Sequence, residues 1–213
     1  MEYNERMLAA KQKLLERFRR QVPSAPTGRN RLPPGQHLTK GFPVLDLGVH
    51  PQFHPKRWRF SVEGEVEQPL DLDWEGFLQL LPKKDQVADF HCVTTWSKFD
   101  VEWGGIPFLD LATLVRPTEA ARYLIAHSAD GYTTNMPLAD CMAEEVILAY
   151  ELFGQPLPLE HGGPMRLVVP KIYAWKSAKF LRKLVFSAQD QPGFWEVRGY
   201  HNHGDPWTEE RHG

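Results

Sequence analysis

Eighteen prolines are spread through 213 residues, beside sixteen glycines, and they cut the chain into short segments. Proline has no amide proton and a fixed φ, so it ends helices and is excluded from central strand positions. That frequency favours a loop-rich globular chain over a helical bundle. Apolar stretches such as Val146-Ile147-Leu148-Ala149-Tyr150 fall far short of the roughly twenty residues that a membrane-crossing helix needs. Hydrophobic residues still make up 42% of the sequence, enough to fill one sizeable core.

Periodicity sets out the elements. Residues 1 to about 22 predict a helix with Met7, Leu14 and Phe18 on one face, and its six basic residues outnumber its three acidic ones. It reads as a solvated helix laid against the body. Pro23 to Pro43, with Pro33-Pro34-Gly35 at its centre, reads as an extended arm. The expected division is therefore 1–34, helix and arm, and 35–213, the functional domain. Strands are expected at Trp58–Val66, Gln86–Val93, Arg122–His127, Val146–Tyr150, Arg166–Val169 and Phe180–Ser187. Helical segments are expected at Leu72–Leu81, Phe108–Val115 and Leu138–Met142, and a Trp/Gly-rich loop at Trp96–Gly105. Short strands and helices, neither alternating nor segregated, predict an α+β fold with mixed β-sheets and short helices.

Net charge is −2 at pH 7, so no basic field exists to attract nucleic acid. With no membrane span and no apolar leader, a cytoplasmic location is expected. Two cysteines are too few for a disulfide framework.

Cys92 closes a strand and enters the loop His91-Cys92-Val93-Thr94-Thr95-Trp96, where a thiolate can serve as metal ligand or nucleophile. Cys141 lies inside a helical pattern and reads as structural. No CxxC or HxxxH pair supports a zinc site. His161-Gly162-Gly163-Pro164-Met165-Arg166 offers a glycine pair for close ligand approach and a guanidinium for an anion. Lys176-Ser177-Ala178-Lys179 could cradle a phosphate between two ammonium groups, although it lacks the glycines of a P-loop. Tyr132, after Asp130-Gly131, could donate to a reacting oxygen.

Taken in order, Cys92, the Asp130-Gly131-Tyr132 turn with Met136-Pro137-Leu138, the run Ala149 to Pro158, His161-Gly162-Gly163-Pro164-Met165-Arg166 and Lys176-Ser177-Ala178-Lys179 resemble the molybdopterin-binding domain of the sulfite oxidase family. The resemblance covers roughly residues 35 to 207. It implies the family's α+β fold, a molybdenum–molybdopterin cofactor, and oxygen-atom and two-electron transfer on a small, possibly sulfur-containing substrate. It further implies Cys92 as the molybdenum thiolate and Tyr132 as the active-site tyrosine. Phe42, Ser128, His161, Arg166, Ser177, Ala178 and Lys179 would be pterin and phosphate contacts. His91 and Lys98, next to Cys92, are candidates to recognise an anionic substrate. The Cys-x-x-x-Trp form of the loop is closer to the family's bacterial methionine sulfoxide reductase subunit than to the Asn-Arg-Arg element of eukaryotic sulfite oxidases. With the chain ending at Gly213, neither a dimerisation nor a haem domain is expected, so electrons would pass to a separate partner protein. Two other readings stay open. One is a non-catalytic pterin carrier, the other a metal-free enzyme with Cys92 activated by His91 or His161.

Overall fold

The computed structural model describes residues 2–18 and 31–213. Helix α1 (Glu2–Phe18) is followed by β1 (His37–Leu38), β2 (Phe60–Gly64), β3 (Leu70–Leu72), α2 (Trp74–Leu80), β4 (Lys84–His91) and β5 (Trp96–Pro107). The second half runs α3 (Phe108–Val115), β6 (Tyr123–Ser128), β7 (Thr133–Pro137), α4 (Leu138–Cys141), β8 (Ile147–Leu152), β9 (Gln155–Pro156), β10 (Arg166–Val168) and β11 (Leu181–Ser187). The part of the arm at 23–30 lies outside the described residues.

Two sheets result. One takes the order β1-β5-β8-β10, with β4 also on β5 and β9 on β8; the other is β3-β2-β11-β6-β7. Each holds one parallel pair, β1 on β5 and β2 on β11, among antiparallel ones. The α+β fold with mixed sheets and short helices is therefore what forms.

Period-two alternation gives the first sheet two buried faces. Leu148 and Leu167 point into the main core, with Phe60, Phe108, Leu184 and Phe186. Their strand neighbours Ile147, Ala149 and Val168 point the other way, into a smaller cluster with Phe90, Trp103 and Phe42. Anything built on that second face is shielded by aromatic rings.

The expected loop at Trp96–Gly105 is instead most of β5, the longest strand of the sheet. Its glycines are needed where β8 crosses closely, because a Cβ on Gly105 would stand 2.1 Å from the Leu148 carbonyl oxygen. Helix α1 lies against the body as expected, and the element it meets is α3: Leu14 and Phe18 are buried, and Arg17 donates to the carbonyls of Pro117, Thr118 and Ala121. No helix among the described residues is long and apolar enough to cross a membrane.

Candidate active site

Cys92 occupies the four-residue turn between β4 and β5. Its amide donates to Trp96 O at 2.9 Å, and Thr95 N–H returns to Cys92 O at 3.1 Å. The strand alternation that buries Phe90 on the aromatic face places Cys92 beside it, with His91 turned away. The sulfur is a hydrogen-bond neighbour of Thr94 Oγ1 at 3.2 Å. Burial raises the thiol's pKa, partly opposed by that hydroxyl and by the charge of Arg211.

A cavity of about 380 Å³ opens from this turn. Its wall joins Cys92, Thr94 and Trp96 to Phe42, Tyr132, His161, Arg166, Ser177 and Lys179, brought from segments far apart in the chain. The thiol is thus connected through one space to the downstream cations.

Those cations are held under electrostatic tension. The Arg166 guanidinium is buried over the rings of Phe90 and Trp103, at 5.2 and 5.4 Å, and donates to the carbonyls of His161 (2.9 Å) and Ser177 (2.8 Å). Burial pushes its pKa down to about 9. Lys179 donates to Glu160 O at 2.6 Å and lies 3.4 Å from Asp46; burial and then Arg166's charge lower its pKa. His161, tilted 31° against Phe42 with ring centroids 4.5 Å apart, is lowered by burial and by Arg166. Arg166 and Lys179 are thus two largely buried cations on a wall that also carries Asp46 and Asp130, and an anion entering beside them would favour their charged forms. The indole of Trp96 borders the same cavity, while its N–H is enclosed without a hydrogen-bond partner among the described residues.

These surroundings separate the residues that the sequence singles out. Lys176 does not share a phosphate cradle with Lys179: its ammonium is fully buried, 2.6 Å from Glu196 and bonded to the carbonyls of Asn135 and Asn202, both at 2.7 Å. The Gly162-Gly163 pair gives close approach to protein rather than to a ligand, since a Cβ on either would strike Lys179 or the Leu157 carbonyl. Ser128 lies off the cavity wall with its hydroxyl enclosed and unpartnered among the described residues. Ala178 is likewise off the wall, packed in the main core. Ser177 lines the cavity, but its hydroxyl already accepts from Val169 N–H at 2.9 Å. Tyr132 also lines it, with its proton donated to Trp175 O at 2.5 Å. His91 bonds Ser97 at 2.8 Å, on the side away from the cavity, and burial lowers its pKa to about 4. Lys98 donates to Lys40 O at 3.2 Å and is not on the wall. Neither His91 nor Lys98 is placed to greet an anionic substrate.

Trp175, Trp195 and Tyr200 supply cavity walls that sequence reasoning missed. Trp175 adjoins the Lys176–Lys179 motif and could have been flagged. Nothing local marks Trp195 or Tyr200.

A strand-end thiol and two largely buried cations thus share one cavity on the second face of the first sheet, an arrangement able to hold an anionic cofactor. Residues 47–195 match the family model of the oxidoreductase molybdopterin binding domain, and the chain belongs to this sulfite oxidase family of enzymes. It is 44% identical over 182 residues to the uncharacterized oxidoreductase YuiH of Bacillus subtilis, covering 85% of this chain and 91% of that one. It is 32% identical over 165 residues to the protein-methionine-sulfoxide reductase catalytic subunit MsrP of Burkholderia mallei, covering 70% of this chain and 50% of that relative's length. Among solved structures, the sulfane dehydrogenase SoxCD of Paracoccus pantotrophus shares the fold, with a TM-score of 0.59 at 24% identity over 66% of this chain and 40% of that one.

Proposed function

We propose that this oxidoreductase is a molybdenum-cofactor enzyme that reduces a small S-oxide, by transfer of an oxygen atom and two electrons supplied by a separate partner protein. The observation that carries the reading is the single cavity joining the Cys92 sulfur to His161, Arg166 and Lys179. The residues fit the cofactor. A soft thiolate suits a molybdenum centre that already bears sulfur ligands. Arg166 and Lys179 suit a phosphate, and the rings of Phe42 and Trp96 line the same wall, where a pterin would lie.

When bound, the cofactor supplies the two-electron redox couple and the centre at which oxygen is exchanged. The chain's part is positional. Cys92 would hold the metal as thiolate, a form favoured by the Thr94 hydroxyl and opposed by burial until a cation arrives. Arg166 and Lys179 would fix the phosphate end, and Trp175, Trp195 and Tyr200 would keep bulk water from the reacting face. Val93, Thr94 and Trp96, the residues flanking Cys92 on the wall, carry no charge. With no charged side chain in that turn to grip sulfite, an uncharged S-oxide is the favoured substrate, in keeping with the methionine-sulfoxide reductase relative.

A metal-free Cys–His enzyme is disfavoured because the sulfur's hydrogen-bond neighbour is Thr94, its thiol is pushed up rather than down, and His91 is engaged with Ser97. The test is elemental and kinetic. Protein from cells able to make the cofactor should carry about one molybdenum per chain and turn over S-oxides with a reduced dye. Cys92→Ser should keep the fold and most of the pterin but lose turnover by at least about a thousandfold. Unchanged turnover in that variant would overturn the reading; pterin without any turnover in the wild type would favour a carrier.

A further inference from the structure

The turn that carries Cys92 is strained, and it is held from outside. Thr95 sits at φ 73, in the left-handed region that a β-branched residue rarely adopts. Such a conformation persists only where its surroundings over-determine it.

Beyond its own two hydrogen bonds, the turn is gripped by two segments that both lie outside the 47–195 family match. From the N-terminal side, Gln36 Nε2 donates to the Cys92 carbonyl at 3.1 Å, and its Oε1 accepts from Ser97 Oγ at 3.2 Å. The next amide, that of His37, donates to Thr95 O at 2.9 Å, so the strained residue itself is tied. From the C-terminal side Arg211 donates to the Val93 carbonyl and lies over the Tyr173 ring at 5.2 Å. The two segments also meet each other. Gly35 takes φ 65, and a Cβ there would stand 2.7 Å from a Glu209 carboxylate oxygen and 3.3 Å from an Arg211 guanidinium nitrogen. Gln36 is 9% exposed and the Arg211 side chain 16%, so water competes poorly for these carbonyls.

We propose that Gln36 and Arg211 are positioning residues, a clamp from both ends of the chain that fixes the Cys92 turn so that its sulfur opens onto the cavity. Its catalytic meaning rests on Cys92 being the metal ligand. Its physical content does not.

Hydrogen exchange on cofactor-free protein tests it. In Gln36→Ala and Arg211→Ala the amides of Cys92 and Thr95 should exchange about tenfold faster, the scale of one buried hydrogen bond lost from a local opening. Arg211→Lys, which keeps one donor, should fall nearer the wild type. Amides of β6 and β11 should not change. Wild-type rates in both alanine variants overturn the clamp, and so does an equal acceleration in β6 and β11, which would mean general loosening. Should Arg211→Ala not fold, the uncharged change Gln36→Ala decides alone. In loaded protein, the Mo(V) EPR g-values should shift in both alanine variants, because they report the thiolate's orientation; unchanged spectra remove the positioning role. A chain that binds no molybdenum sinks the proposed function and leaves the exchange result standing.

Discussion

Lys176 and Lys179 are alike in type and three positions apart, yet the fold gives them opposite work. Lys179 reaches the cavity wall, while Lys176 is sealed in the interior against Glu196, whose side chain is 2% exposed. Removing one partner of a buried ion pair leaves the other charge desolvated and uncompensated, which costs more than the pair contributes. Lys176→Ala should therefore lower unfolding free energy by about 3 kcal/mol or more in urea titration. A change below about 0.5 kcal/mol would show that Lys176 is solvated after all. The sequence could not separate the two lysines. Their spacing suits a shared anion, and only the placement of Asn135, Glu196 and Asn202 claims one of them for structure.

At the scale of elements, β5 shows where local pattern misleads. Its Trp96–Gly105 stretch has the glycines, charged residues and mixed order of a loop, but β4 pairs along it while β1 and β8 take its two ends. Gly104 and Gly105 sit at a register shift against β8. Gly105→Ala would drive a methyl group into the β8 backbone, and the expected loss is about 2–3 kcal/mol of stability, read as a lower thermal midpoint. An alanine variant as stable as the wild type would mean that the two strands are not in this close register. By contrast, the helix at Phe108–Val115 and the strands around Arg166 and Leu181 were legible, because their apolar residues recur at one period and no partner strand was needed to read them. The short strands β1, β7 and β9 were not, since His37-Leu38, Thr133–Pro137 and Gln155-Pro156 carry neither an apolar run nor a clear alternation.

For the whole molecule, the cavity proposed to take the cofactor exists only once residues 42, 161, 166 and 179 have met across the second face of the first sheet. A ligand that binds this assembled state and not the unfolded chain must stabilise it. Cofactor-loaded protein should accordingly melt above the cofactor-free form. In Lys179→Gln that difference should shrink sharply while the cofactor-free midpoint changes little, because the lost group is a charge-assisted donor at the cavity edge. Differential scanning fluorimetry of the four samples measures it, and an undiminished difference in the variant would remove Lys179 from the anion site.

The order of chemically capable residues was in the sequence: a strand-end thiol, a buried-strand arginine and a late lysine, each followable by local period and composition. Tertiary structure decided which of them share a space. It turned His91 away from Cys92, sealed Lys176, left Ser128 and Ala178 off the wall, and brought Gln36 and Arg211 onto the Cys92 turn from opposite ends of the chain. The reason is physical: side-chain direction follows from the local backbone, whereas burial and shared partners are properties of surfaces that meet only when distant segments pack.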